Sequence, residues 1–91
     1  MSYWLYIVEC ADGTFYTGIA TDVERRVAEH NGKRPKGARY TSARRPVSLV
    51  FEAPFATRSE ASKEEARIKR LTRCEKEQLI AGAERARAKT P

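Results

Sequence analysis

The sequence predicts a small α+β domain: a three-stranded antiparallel sheet flanked by helices, in the order β-β-α-β-α-α. Three observations predict this fold. Two stretches rich in aromatic and β-branched residues, 3–9 and 14–20, flank an Ala-Asp-Gly turn, which is typical of a hairpin. A third apolar run covers 47–55. Thr-x-x-Glu signatures, which cap helix N-termini, begin at Thr21, Thr57 and Thr72.

The register of the first hairpin decides whether Tyr6 and Tyr16 lie on the same face of the sheet. A two-residue Asp12–Gly13 turn places the two tyrosines on opposite faces, because side chains alternate along a strand. A three-residue Ala11–Gly13 loop with a bulge at its end places both tyrosines and Gly18 on one face. The sequence leaves both registers open.

The first helix is predicted to begin after Thr21 and to end at Asn31–Gly32. Thr21 is the expected N-cap, with Glu24 completing the capping box. Three residues form one stripe at i, i+4 and i+7: Val23, Val27 and His30. Arg26 borders that stripe.

The stretch from Asn31 to Pro46 has no periodicity and carries the charge excess of the chain. The net charge is +6, from 18 Lys and Arg against 12 Asp and Glu. This stretch holds no acid and six basic residues: Lys33, Arg34, Lys36, Arg39, Arg44 and Arg45. A localised basic segment indicates a polyanion partner, while a solvated loop kept for solubility is the alternative interpretation.

The C-terminal half is predicted to hold one strand and two helices. Val47 to Phe55 forms the third strand, and Pro54 belongs at a strand end or on an edge because it donates no ladder hydrogen bond. The last two capping signatures divide the remainder into helices near 58–71 and 73–87. We therefore predict one domain, residues 1–87, and a short tail, 88–91.

Composition excludes several classes of protein and of site. With 41% hydrophobic and 33% charged residues among 91, the chain is neither disordered nor membrane-like, and it shows no secretory signal. Cys10 and Cys74 match no zinc pattern and are predicted to be free thiols in a cytoplasmic protein. A single histidine excludes a His-rich metal site. No nucleophile elbow or Walker phosphate loop occurs.

The residues left for chemistry are two tyrosines, an arginine, a histidine and an acid on the second helix. Phosphodiester cleavage requires an activated water, stabilisation of negative charge, and a protonated or metal-bound leaving oxygen. The guanidinium of Arg26 can hold a phosphate oxygen, and Tyr or His side chains can pass protons. One carboxylate can hold a magnesium ion whose other ligands are water and substrate.

These residues occur in an order that resembles a known family. The stretches that carry the resemblance are Trp4-Leu5-Tyr6, Tyr16-Thr17-Gly18, Arg26 with His30, Gly37–Thr41 followed by Arg44-Arg45-Pro46, and Glu65–Lys69. Together they resemble the GIY-YIG endonuclease superfamily, and in particular its small single-domain bacterial members. The resemblance covers about Tyr3 to Ile80, and Thr17 stands where the motif usually has Ile.

The resemblance implies a metal-dependent endonuclease that hydrolyses phosphodiester bonds in DNA. The implied catalytic residues are Tyr6, Tyr16, Arg26, His30 and Glu65. Tyr6 would be the general base or orient the water, and Glu65 would be the protein ligand of Mg2+ or Mn2+. Gly18 would allow a close approach under the tyrosine face. Helical periodicity does not select Glu65, so Glu64 is the fallback ligand.

We expect DNA to be the partner, branched or damaged DNA included, and no membrane. The predicted nucleic-acid contacts are Lys33, Arg34, Lys36, Arg39, Tyr40, Arg44, Arg45 and Lys69. The chain departs from the family pattern in lacking an Asn beyond Asn31 and an attached DNA-binding domain. Two other hypotheses are therefore open: a nucleic-acid-binding or repair-associated module with little catalysis, and an interaction domain whose protein partner supplies targeting.

Overall fold

The computed structural model has the predicted element order. The structure describes residues 2–32 and 44–88, apart from the side chains of 84–88. Its elements are β1 Tyr3–Glu9, β2 Phe15–Ala20, α1 Val23–Asn31, β3 Ser48–Phe55, α2 Arg58–Lys69 and α3 Arg73–Ala88. α3 extends one residue into the predicted tail, and residues 89–91 lie outside the described part.

The three strands form one antiparallel sheet in the order β2-β1-β3. The hairpin has the three-residue loop: the Cys10 N–H donates to the Thr14 carbonyl at 2.8 Å, and Val8 lies opposite Tyr16. Gly13 has a φ of +84°, which glycine adopts without steric cost. Tyr6 and Tyr16 therefore share a face of the sheet, as expected for the register with the three-residue loop.

β3 is an edge strand, which confirms the prediction for Pro54. A bulge interrupts its pairing with β1, because Ile7 lies opposite Phe51 whereas Val8 lies opposite Leu49. Val50 is the extra residue, so Leu49 and not Val50 lies opposite Val8, on the side of the sheet that α1 covers.

The central strand β1 is buried on both faces because helices cover both. On the α1 face, Tyr6, Val8 and Cys10 pack with Val23 and Val47. On the opposite face, Leu5 and Ile7 pack with Ile68 of α2 and Ile80 of α3. Four successive buried residues of β1 thus belong to two separate cores, and the catalytic candidates on β1 and β2 belong to the α1 side.

The predicted cap of α1 is wrong by one residue. Asp22 is the N-cap, and its carboxylate accepts from the Arg25 N–H at 3.1 Å. A carboxylate is as good an N-cap as a hydroxyl and adds a favourable charge at the positive end of the helix. The other two caps are confirmed: Thr57 caps α2, and Thr72 caps α3.

α1 is joined to the start of β3 by the side chain of Asn31. Its Nδ2 donates to the Val47 carbonyl at 3.0 Å, and its Oδ1 accepts from the Val47 N–H at 2.7 Å. Nearby, Arg44 pairs with Asp12 of the hairpin loop at 3.0 Å, and Arg45 donates to the Gly32 carbonyl. Asn31 was predicted only as a helix stop, and the structure gives it this second role.

Replacement of Asn31 by Ala should lower the free energy of unfolding by about 2 kcal/mol, because two part-buried hydrogen bonds of about 1 kcal/mol each are lost. Urea denaturation measures the change. Arg44→Ala, which removes a more exposed ion pair, should cost much less. Equal losses in the two variants would contradict the anchoring role of Asn31.

Candidate active site

The ring of Tyr6 lies across the backbone of the neighbouring strand at Gly18. The two residues are opposite each other in the register of β1 and β2. A Cβ atom at position 18 would lie 2.6 Å from the Tyr6 hydroxyl oxygen and 2.7 Å from its Cζ. Only glycine leaves room for this arrangement, so the close approach expected at Gly18 is present.

The hydroxyl of Tyr6 meets the imidazole of His30 beyond Gly18. Tyr6 Oη and His30 Nε2 are 2.9 Å apart, and the hydrogen bond is buried. The ring of Tyr16 also packs against the imidazole, with ring centroids 5.3 Å apart in an edge-on arrangement. Both tyrosines thus contact His30, which lies in the last turn of α1.

Burial keeps both members of the Tyr6–His30 pair neutral near pH 7. Desolvation raises the pKa of the Tyr6 phenol, although a hydrogen bond from Arg26 acts in the opposite direction. Desolvation likewise lowers the pKa of His30, and the positive charge of Arg26 lowers it further. A neutral phenol and a neutral imidazole in contact can exchange a proton without an isolated buried charge in the starting state.

Arg26 supplies the positive charge beside this pair. Its Nη1 donates to Glu29 Oε1 at 3.0 Å, and its guanidinium also hydrogen-bonds the Tyr6 phenol. Burial disfavours the charged form, but these two contacts outweigh it and raise the pKa of Arg26. The guanidinium is therefore fixed as a cation at the edge of the site.

Glu29 was missed by the sequence reasoning. It lies three residues after Arg26 and four after Arg25, and on a helix residues at both spacings are neighbours. The i+3 and i+4 spacing from the two arginines was the signal that could have identified it.

Glu65 of α2 is the acidic residue whose charge reaches Tyr6. Its carboxylate raises the pKa of the phenol, together with larger contributions from burial and from Tyr16. Glu65 Oε2 lies 3.3 Å from Lys69 Nζ, and 26% of the Glu65 side chain is exposed. The neighbouring Glu64 is paired with Arg67 instead. The charge of Glu65 thus acts on Tyr6, but less than burial, Arg26 and Tyr16 do.

The carboxylate of Glu65 fits a cation whose remaining ligands come from water and from the substrate. In residues 2–32 and 44–88, no three His, Cys, Asp or Glu side chains form a group that could enclose a metal ion. Magnesium is commonly held by one or two carboxylates, with water and substrate phosphate oxygens in its other positions. A single, partly exposed carboxylate such as that of Glu65 suits this mode of binding.

The predicted nucleic-acid contacts are only partly described. Lys33, Arg34, Lys36, Arg39 and Tyr40 lie outside the described residues. Of the others, Arg44 pairs with Asp12, Arg45 donates to Gly32, and Lys69 pairs with Glu65. Their contacts with nucleic acid stay predictions.

Two further expectations concern cysteines and membranes. Both cysteines are free thiols, Cys10 buried and Cys74 exposed. Among the residues that the structure describes, none of the helices has the length and apolar character needed to cross a bilayer.

Residues 2–78 match the GIY-YIG catalytic domain. The chain belongs to the GIY-YIG family. This family is typically endonucleolytic, so its domain indicates nuclease activity in general and a nucleic-acid substrate.

Relatives of this GIY-YIG domain align over most of their own length. A UPF0213 protein of Desulfotalea psychrophila is 51% identical over 84 residues, which cover 92% of this chain and 76% of the relative. A UPF0213 protein of Halobacterium salinarum is 53% identical over 76 residues, 84% of this chain and 96% of the relative.

Two solution NMR structures share the fold. The UPF0213 protein of Bacillus halodurans is 44% identical with a TM-score of 0.57, over 89% of this chain and 84% of that one. A protein of E. faecalis is 44% identical with a TM-score of 0.62, over 92% and 88%. The α+β fold in the order β-β-α-β-α-α is therefore that of this small GIY-YIG group.

Gly18→Ala should destabilise the protein by about 1–3 kcal/mol, the usual cost of overpacking, because the new methyl group displaces the buried Tyr6 ring. Urea denaturation measures the loss. Gly82→Ala is the matched control: a Cβ there meets no atom within 4 Å, and on α3 it should stabilise by about 0.5–1 kcal/mol. If both variants gained stability, the close packing over Gly18 would be wrong.

His30 should make stability depend on pH. Its folded-state pKa lies below the ordinary value of 6.5, so the unfolded chain binds the proton more readily. The free energy of unfolding should be constant above about pH 7, and it should fall as the pH decreases from 6.5 towards the lower folded-state value. Denaturant titrations at several pH values measure this slope, which His30→Gln should reduce. An unchanged slope in that variant would show that other groups cause it.

Proposed function

We propose that this chain is a metal-dependent endonuclease that hydrolyses phosphodiester bonds in DNA. The observation that carries the proposal is the buried hydrogen bond between Tyr6 and His30, with the Arg26 guanidinium beside it. This cluster combines a proton-transfer pair with a fixed cation, the two parts that attack of water on a phosphodiester requires from the protein.

Water activation is assigned to the Tyr6–His30 pair. As the water oxygen attacks phosphorus, Tyr6 Oη accepts a proton from the water while the phenol proton passes to His30 Nε2. As the new O–P bond forms, the water O–H bond breaks and so does the P–O bond to the leaving sugar oxygen. That oxygen departs as an alkoxide and takes a proton from solvent, while His30 ends the step as an imidazolium and later returns its proton to solvent. Because the pKa of the phenol is raised, Tyr6 acts through this relay and not as a standing phenolate.

Charge that develops on the phosphate is assigned to Arg26. A guanidinium offers donors in a fixed fork, and its half-buried position strengthens its interaction with the non-bridging oxygens. Tyr16 packs edge-on against His30 and restrains the imidazole in the plane that Tyr6 needs. Arg26 would therefore bind the phosphate, Tyr16 would orient the imidazole, and Tyr6 and His30 would transfer the proton.

Glu65 is the proposed ligand of a magnesium or manganese ion. When bound, such an ion supplies Lewis-acid stabilisation of the leaving oxygen. The carboxylate must first be released from Lys69, whose ammonium group then becomes available for a substrate phosphate. This role for Lys69 agrees with its prediction as a nucleic-acid contact.

The basic segment that follows α1 is the proposed DNA-binding element. If all six of its basic residues contact phosphates, the logarithm of the affinity should fall with the logarithm of salt concentration with a slope of roughly −5. A binding module without catalysis would show the same salt dependence, so cleavage separates the two functions.

Wild-type protein should cleave at least one of four DNA forms, branched, nicked, single-stranded or duplex, in the presence of magnesium. Arg26→Ala and Glu65→Gln should each lower turnover by about 100-fold or more, because each removes stabilisation of transition-state charge. Labelled oligonucleotides resolved on gels measure the rates.

Neighbouring residues provide the matched controls. Arg25→Ala, at a position whose side chain is 75% exposed, and Glu64→Gln, one residue before Glu65, remove the same charges and should retain most of the activity. A loss in Glu64→Gln but not in Glu65→Gln would transfer the metal site to Glu64. Wild-type cleavage no faster than that of the Arg26→Ala, Glu65→Gln double variant would overturn the nuclease proposal. Retained binding would then favour the binding module.

A further inference from the structure

Glu29 is a carboxylate in a place where a nuclease should avoid one. Its Oε1 lies 3.0 Å from Arg26 Nη1, and it directly precedes His30 in the chain. The side chain is 24% exposed, so its negative charge is only partly screened by water. A negative charge beside the phosphate site weakens the binding of a polyanion, and this cost requires a compensating role.

The contacts of Glu29 show what it can contribute. The Arg26 guanidinium hydrogen-bonds both Glu29 and Tyr6, so Glu29 restrains the same group that contacts the phenol. The other oxygen of Glu29 lies 3.5 Å from Arg25 Nε, whose side chain is 75% exposed. Because Arg25 is so exposed, this longer ion pair adds little, and the contact of Glu29 with Arg26 is the one that restrains a side chain of the site.

A free arginine side chain has several rotatable bonds, and ordering it costs up to about 2 kcal/mol. Glu29 holds Nη1 before substrate arrives, so the orientation of the planar guanidinium is set in advance. A catalytic cation that is ordered in advance loses less entropy in the transition state.

We propose that Glu29 is a positioning residue that holds the Arg26 guanidinium against Tyr6, at the expense of DNA affinity. The proposal rests on the function proposed above. According to the proposal, the charge of Glu29 weakens DNA binding and its acceptor oxygen raises turnover. Two substitutions separate these effects.

Glu29→Gln removes the charge but keeps an amide oxygen in the place of the acceptor, whereas Glu29→Ala removes both. Both variants should bind the best-cleaved oligonucleotide about two- to fivefold more tightly in EDTA at low salt, because one repulsive charge is gone. Turnover in magnesium should fall about 10- to 100-fold in Glu29→Ala, which leaves Arg26 unrestrained on that side. Glu29→Gln should lose clearly less turnover than Glu29→Ala.

Glu24→Ala is the control for charge. Glu24 is an exposed acid in the first turn of the same helix, where it borders a groove with Val27 and with Leu49 and Glu52 of β3. Its removal should tighten DNA binding slightly and leave turnover unchanged. If Glu29→Ala behaved like Glu24→Ala in turnover while Arg26→Ala was inactive, the inference would be overturned and the nuclease proposal would stand.

A second measurement does not depend on activity. The 15N order parameter of Arg26 Nε reports how firmly the side chain is held, and Arg26→Lys assigns its signal. It should fall in Glu29→Ala and stay at the wild-type value in Glu24→Ala. An unchanged value in Glu29→Ala would overturn the inference. If the wild-type protein cleaves none of the four DNA forms, the proposed function fails, and this measurement decides the positioning role by itself.

Discussion

The candidate site depends on one steric constraint, the passage of the Tyr6 ring over a residue without a side chain. In an antiparallel pair, directly opposed residues bring their Cβ atoms close together, so a ring cannot lie over an opposite residue that carries a Cβ atom at that place. Gly18 removes the obstacle, so the ring crosses β2 and its hydroxyl reaches His30 of α1. One missing methyl group thereby connects three elements that are separate in sequence.

The electrostatic arrangement follows from that packing. The Tyr6–His30 pair is buried and neutral, and the charged groups lie around it in half-exposed positions, Arg26 and Glu29 on α1 and Glu65 on α2. Neutral groups tolerate the low dielectric of the interior, where an isolated charge would be expensive. Charged groups at the edge keep part of their contact with water. In the proposed mechanism, proton transfer would therefore take place in the buried part of the site and charge stabilisation at its edge.

The sequence predicted features that depend on neighbouring residues better than features that depend on distant ones. Strands, helices and the caps at Thr57 and Thr72 follow from local patterns, and they are confirmed. The α1 cap was misplaced because Thr21 and Asp22 both suit the position, and only the backbone decides between them. The hairpin register stayed open because a two-residue and a three-residue turn fit the same Ala-Asp-Gly.

The site residues show the same division. Tyr6, Tyr16, Arg26 and His30 were grouped by family resemblance, and their contacts require the register that periodicity could not choose. The pairing of Asn31 with Val47 escaped the sequence analysis because the partners are 16 residues apart and one of them is backbone. Nothing in a local pattern indicates which peptide group a distant amide will bind.

That pairing has an evolutionary consequence. Because one side chain holds the end of α1 against the residue that precedes β3, the two ends of the segment between Asn31 and Val47 are fixed close together. Lengthening a segment whose ends are fixed costs little, since closure entropy grows only with the logarithm of its length. The segment can be exchanged or extended by recombination while the strands and α1 keep their positions. If the segment binds DNA as proposed, selection can change the bound substrate while the residues of the candidate site stay the same.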